Sequence, residues 1–275
     1  MSFDPTYGVS FTSTTHSKAE GPTLPENNTS SNFVVVVTGA GKGLGYNISL
    51  AYARAGISGI AISSRTQADL DNLSEELRQV NPKLEILSSI TDTTKPEDVK
   101  KLAASVKEKW NGRLDVVVAN AGIISKYIYD RDEKTGEKKN RRLPIGIVED
   151  DDAGRVLDIN LKGTWNTAQE FTPLLTAKEN QSSVRAFVVI TSLASHFAHS
   201  ELTTVSYNVS KIAVNRLVEH LWNDHGKENQ YGLQSFSIHP GAVLTPQTEG
   251  HNRFEGDVWD ECKSSDVENP REWSV

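Results

Sequence analysis

Two kinds of apolar pattern alternate along the chain. Short continuous runs rich in Val and Ile are one kind: "FVVVVTG" from Phe33, "ISGIAISS" from Ile57, "LEILSSIT" from Leu84, "LDVVVANAG" from Leu114, "RAFVVITS" from Arg185 and "LQSFSIHPG" from Leu233. Runs of that length without polar alternation predict strands buried on both faces. Between them the apolar positions fall at helical spacing, in "YNISLAYARAG", "ADLDNLSEELRQV", "PEDVKKLAASVKEKW", "AGRVLDINLKGTWNTAQEFTPLL" and "VSYNVSKIAVNRLVEHLWNDHG". Pro82 stands just beyond the second of these and Pro96 opens the third, the places where proline suits a helix boundary. Strand and helix alternate six times without an internal repeat. The expected architecture is α/β, a doubly wound parallel sheet in three layers with helices on both faces, and its ligand sites belong at the carboxyl ends of the strands.

The ends of the chain lack this pattern. Residues 1–32 are rich in Ser, Thr, Pro and Asn and predict a disordered arm; residues 33–275 are expected to form one domain. Residues 123–152 are polar and charged with no period, and predict an insertion that forms a lid or a disordered loop. After Thr245 about 30 residues follow, and "FEGDVWDECKSSDVENPREWSV" carries no strand pattern.

Bulk composition narrows the function classes. The 275 residues carry a net charge of -7, and "EKKNRR" at 137–142 is one short basic run in a polar segment, so no nucleic-acid footprint is expected. Cys262 is the only cysteine, which excludes an internal disulfide and fits a reducing, cytoplasmic setting. No apolar stretch reaches membrane-spanning length. His196, His199, Glu201 and His220 do not repeat a metal-ligand spacing, and no metal is expected.

Candidate chemistry begins at "TGAGKGLG", residues 38–45, between the first strand and the first helix. Gly39, Gly43 and Gly45 permit a tight turn there and a close approach of a pyrophosphate to the helix N-terminus, with Leu44 inside the turn. That context predicts a dinucleotide site; the GxxxxGK[ST] form of a triphosphate loop is absent. The second strand ends in Ser63, Ser64 and Arg65, with no carboxylate to receive a ribose 2′-hydroxyl. Hydroxyls and a guanidinium suit the 2′-phosphate of NADP; the alternative is an Arg65 that merely faces solvent, with NAD as cofactor.

"TGAGKGLG", "ANAG" at 119–122, "DINLKG" at 158–163, "ITS" at 190–192, "YNVSK" at 207–211 and "HPGAVLT" at 239–245 together resemble, in order, the short-chain dehydrogenase/reductase family. The likeness covers residues 33–245 and looks most like fungal members, many of which work in secondary metabolism. It implies a Rossmann-type fold and an NADP-dependent oxidoreductase that interconverts a ketone and a secondary alcohol of a small organic molecule. It also implies a catalytic group of Asn160, Ser192, Tyr207 and Lys211. Tyr207 would exchange the proton, Ser192 would hold the substrate oxygen, and Asn160 would maintain a water link from the lysine. Lys211, one helical turn from Tyr207, would lower its pKa from the ordinary value near 10. Family likeness assigns Asn120 and Gly122 to the adenosine side, and Pro240, Val243 and Thr245 to the loop over the nicotinamide. It implies a homo-oligomer through helix packing.

The match has departures. Ser192 precedes Tyr207 by 15 residues instead of 13, which makes Ser195 the runner-up. Ser89 stands where the family commonly has an adenine-binding aspartate, with Asp92 three residues on. The segment after Thr245 is too short for the family's further helix and seventh strand, so the sheet is expected to lack its last strand. That shortening supports an alternative, a non-catalytic NADP-binding or interaction protein.

Overall fold

In the computed structural model the described residues are 20–126, 129–131, 134–135, 138–140, 145–180, 182, 184–200, 203–226, 231–241, 243 and 245–248. The valine run forms β1 (Val34–Thr38), buried at every position. Val34 and Val36 face one hydrophobic layer with Leu102, Phe171, Phe187 and Leu217. Val35 and Val37 face the other, with Leu50, Ile60, Leu70 and Leu73. A strand with apolar neighbours on both sides has no polar face to show, which is why its sequence lacks alternation.

The remaining strands of the main sheet are β2 (Gly59–Ser64), β3 (Glu85–Ile90), β4 (Val116–Ala119), β7 (Ala186–Ile190) and β8 (Gln234–Ile238). They lie in the order β3-β2-β1-β4-β7-β8 and every neighbouring pair is parallel. The helices are α1 (Gly43–Arg54), α2 (Gln67–Val80), α3 (Pro96–Lys109), α4 (Ala153–Leu157), α5 (Gly163–Thr176) and α6 (Val205–His225). The chain winds outward from β1 to β3, then returns to place β4 on the other side of β1. That reversal opens a crevice at the carboxyl ends of β1 and β4. The fold is the expected Rossmann-type sheet. It has six strands among the described residues, and β8 forms one edge, with Phe236 and Ile238 partly exposed.

Three features differ from the expected pattern. The helix expected over 153–175 is broken: a π-helical turn, Asp158–Lys162, separates α4 from α5. The wider turn swings Asn160 out of the helical ladder to bond with the exit loop of β4, a use to which such bulges are often put. The polar insertion contains an antiparallel strand pair, β5 (Tyr129–Arg131) and β6 (Lys138–Asn140), and then returns to the core through buried Ile145.

The expected disordered arm is in part ordered. Residues 21–23 and 25–27 form 3₁₀ turns, Pro25 is buried, and the Ser30 amide donates to the Ala55 carbonyl at 3.1 Å. The polar side chains that suggested mobility close these turns: Asn27 and Asn28 donate to the carbonyls of Gly21 and Pro22, each at 2.7 Å. Residues 1–19 of that arm lie outside the described residues, as does the stretch from 249 on.

Candidate active site

A cleft of about 470 Å³ occupies the crevice at the carboxyl ends of the strands. Gly39, Gly43 and Leu44 line it at the turn from β1 into α1. Gly43 has φ of +63°, a conformation that costs other residues strain. Gly45 sits behind the cleft and has a different reason to be glycine. A Cβ there would stand 2.5 Å from both Asn120 Nδ2 and the Gly39 carbonyl oxygen. Its role is the close packing of α1 against the sheet. The Asn120 side chain in turn donates to the carbonyls of Thr38 and Gly39, at 3.0 and 3.1 Å, and clamps the ends of β1 and β4 together.

One end of the cleft is bordered by Ser64, Arg65, Thr66 and Asp69, and by Thr91, Asp92 and Thr93 after β3. Arg65 is exposed. The Ser64 hydroxyl donates to the Thr66 carbonyl at 3.1 Å and shapes the exit from β2. Ser89 does not border the cleft; its hydroxyl pairs with Thr91 Oγ1 at 3.1 Å. Two carboxylates, Asp69 and Asp92, stand at this end. Hydrogen bonds from Thr94, with help from the charges of Arg65 and Lys95, hold the pKa of Asp92 below the ordinary value against the opposing effect of burial, the largest single influence on it. Asp69 carries no signal in the glycine motif or at the end of β2. It reaches the cleft because α2 folds back beside the glycine turn.

At the other end, Ser192 leaves β7, and Tyr207 and Lys211 project from the first turns of α6. The Ser192 hydroxyl and the Tyr207 side chain line the same end of the cleft, and Ser192 acts to lower the pKa of the phenol. Ser192 also accepts the Ala194 amide at 3.2 Å, as the cap of a 3₁₀ turn. Ser195 faces away from the cleft: it is buried and its hydroxyl accepts from Asn215 Nδ2 at 3.0 Å. Ser192 thus stands at the phenol despite the longer spacing, because the 3₁₀ turn and the loop after it take up the extra residues.

Lys211 is 8% exposed, donates to the Ile190 carbonyl at 2.8 Å, and holds its ammonium 5.5 Å from the centre of the Tyr207 ring. Burial pushes its pKa down to about 8. The sequence led to an expectation of a lowered Tyr207 pKa, whereas burial raises it, outweighing the opposite influence of Ser192. The physical reason is desolvation of the buried phenol, while Lys211 donates to Ile190 and stands over the ring face.

Asn160 lies behind this end and does not border the cleft. Its Oδ1 accepts the Ile123 amide at 2.8 Å, and its Nδ2 donates to the Ile123 carbonyl at 2.9 Å and to Ser210 Oγ at 3.1 Å. The π-helical turn is therefore tied both to the loop after β4 and to α6. Gly122 borders the cleft within that loop. Val243 and Thr245 close the same side, and the Thr245 amide donates to Thr248 Oγ1 at 2.8 Å. His239, Gln247 and Thr248 also line it, beyond what the motifs indicated. Of the residues weighed as a metal set, Glu201 lies outside the described residues; His199 stacks on Phe197 with ring centres 5.5 Å apart.

The family model for short chain dehydrogenases matches residues 33–256, the span that contains the sheet, the glycine turn and the Tyr–Lys helix. The chain belongs to the short-chain dehydrogenase family. A short chain dehydrogenase of Aspergillus terreus, pgmD, is 34% identical over 250 residues, which cover 89% of this chain and 75% of that protein. The short chain dehydrogenase pigC of Monascus ruber is 30% identical over 85% of this chain and 70% of its own length. Among solved structures, an alcohol dehydrogenase of Thermococcus sibiricus complexed with 5-hydroxy-NADP is similar with a TM-score of 0.58 and 27% identity, over 78% of this chain and 77% of that one. The short-chain dehydrogenase described here is accordingly an oxidoreductase that takes a nicotinamide cofactor and a small-molecule substrate.

Proposed function

We propose that this short-chain dehydrogenase is an NADP-dependent enzyme that interconverts a ketone and a secondary alcohol on a small organic molecule. The observation that carries the reading is the meeting of Ser192, Tyr207 and Lys211 at one end of a single cleft that Arg65 borders at the other. The residues present fit the cofactor. A helix N-terminus with a glycine turn suits a pyrophosphate, a cation and hydroxyls after β2 suit a ribose phosphate, and the loop of Val243 and Thr245 suits the nicotinamide end. NADP, when bound, supplies a hydride to the carbonyl carbon or accepts it from the alcohol.

The chain's own residues do the rest. Ser192 Oγ holds the substrate oxygen against Tyr207, and Tyr207 Oη gives that oxygen its proton in the reductive direction and removes it in the other. Lys211, bonded to the Ile190 carbonyl, holds α6 against the end of β7 and so keeps Tyr207 near Ser192. Asn160 fixes the distance between α6 and the loop after β4, and so the width of the cleft at the reacting end.

Arg65 supports NADP over NAD, because a guanidinium that borders the cleft after β2 suits a 2′-phosphate. The carboxylate of Asp69 at the same end favours NAD. Fungal relatives favour a place in secondary metabolism, and the single cysteine favours a cytoplasmic one. With a panel of ketones and NADPH, Tyr207→Phe is expected to lower kcat by roughly 10²–10⁴-fold while cofactor binding persists. Turnover unchanged by that substitution would overturn the proton-transfer role, and with it the redox reading.

A further inference from the structure

The helix that carries Tyr207 and Lys211 begins without help from its own cap. Thr204, the residue before α6, makes no side-chain bond to the first helical amides; its hydroxyl pairs with Ser206 Oγ at 3.2 Å. The first amides of a helix need acceptors, and their orphaned dipoles favour a negative charge nearby. Here the acceptor comes from 56 residues away: the Ser206 amide donates to Asp150 Oδ2 at 3.0 Å. Asp150 is only 8% exposed, and its other oxygen, Oδ1, has no hydrogen-bond partner among the described residues. Burying a carboxylate for a single bond is costly. A position occupied for folding alone would be served at lower cost by a serine or threonine cap within the loop before α6.

Asp150 is also held in place from its own side. Two residues on, Asp152 is 5% exposed and accepts the Lys126 amide at 2.8 Å, the Ser125 hydroxyl at 3.2 Å and the Arg155 guanidinium at 2.7 Å. Asp152 therefore pins the far end of the polar insertion to the loop leaving β4, which borders the cleft through Gly122 and Ile123. The short segment 150–152 links two parts of the reacting end: the loop under the substrate side, and the first turn of the helix that presents the phenol.

We propose that Asp150 is a positioning residue for the reaction. It caps α6 across the fold and, through the Ser206 amide, sets where the adjacent Tyr207 meets Ser192. The polar insertion then has a use that its composition hides, since its last residues set the register of the proton-transfer group. The proposal rests on the Tyr207 chemistry above, and its test separates the two.

The test uses the full chain saturated with NADPH, comparing Asp150→Ala and Asp150→Asn with the unchanged protein. Amide hydrogen exchange follows residues 205–208, and steady-state turnover follows the ketone panel. Asp150→Ala is expected to raise exchange in the first turn of α6 at least tenfold and to lower kcat by ten- to a hundredfold, with the NADPH Kd within twofold. Asp150→Asn keeps an oxygen acceptor, and should restore the exchange protection and bring kcat to within about fivefold of the unchanged protein. Should Asp150→Ala fail to fold, Asp150→Asn alone decides: a kcat loss above tenfold with normal exchange protection would overturn the positioning role. Asp150→Ala with unchanged exchange and unchanged kcat would overturn it too. If the unchanged protein turns over no ketone, the redox reading is what has failed. Exchange in the first turn then still decides whether Asp150 caps the helix: faster exchange in Asp150→Ala supports the cap, and unchanged exchange overturns it.

Discussion

Lys211 is where the energetics of single residues are most exposed to measurement. Burial holds its pKa near 8 in the folded protein, against an ordinary value of 10.5 in the unfolded chain. Below about pH 8 both states keep the proton, and the fold bears the full cost of a buried ammonium. Between pH 8 and 10.5 the unfolded chain holds more protons than the folded one, so this group makes stability rise with pH. From pH 7.5 to 9.5 the gain should be about 2 kcal/mol, and a Lys211→Met variant should lack it. Urea denaturation of both proteins at the two pH values checks this; equal pH dependence in both would show that the lysine is solvated in the cofactor-free protein. Tyr207 acts in the opposite sense, and only at higher pH. Its raised pKa means the unfolded chain ionises first, so its contribution falls as pH climbs past 10.

Among the elements, the start of β4 shows how the sheet is fastened at the end remote from the cleft. Asp115 is 1% exposed and accepts the Val34 amide at 2.8 Å, the Ser182 hydroxyl at 2.5 Å and a two-pronged contact from Arg113 at 2.9 and 3.0 Å. One carboxylate thus joins the beginnings of β1 and β4 to the segment leading into β7. Asp115→Ala strands an amide, a hydroxyl and a partly buried guanidinium, and should cost about 3 kcal/mol or more. A shift in the urea midpoint without a change in slope checks it, and a loss under 1 kcal/mol would contradict this reading of the junction. Elements such as β1 and β4 were legible in sequence because a valine run buried on both faces has few other uses. The π-helical turn at 158–162 was not, because its cause is a long-range bond between Asn160 and Ile123. The turns at 21–27 were missed for a related reason: serines, asparagines and prolines look alike whether they cap local turns or stay solvated. Ser192 at its strand end lines the cleft and Ser195 does not, although only the 3₁₀ turn explains the longer spacing. Tyr207 lines the cleft, but the direction of its pKa was not legible, since a helical i, i+4 spacing does not say where the lysine spends its hydrogen bonds.

At the scale of the whole molecule, the six-stranded sheet leaves apolar side chains in water. Trp165 on α5 and Val209 and Ile212 on α6 are each about half exposed. We infer that these helices pack against a second copy of the chain. Sedimentation should show an assembly larger than one chain, with Ile212→Glu weakening it; a monomer at micromolar concentration would contradict the inference. No described helix is long and apolar enough to cross a membrane. The cleft remains the feature on which the account turns, because it joins Arg65 at one end to Tyr207 at the other. Titration of the purified chain with NADPH and with NADH, followed by nicotinamide fluorescence, tests that most directly. The account predicts saturable binding of NADPH at least about tenfold tighter than NADH, or 1.4 kcal/mol. Tighter binding of NADH would show that Asp69 and not Arg65 governs the ribose end, and no saturable binding of either would contradict the account itself.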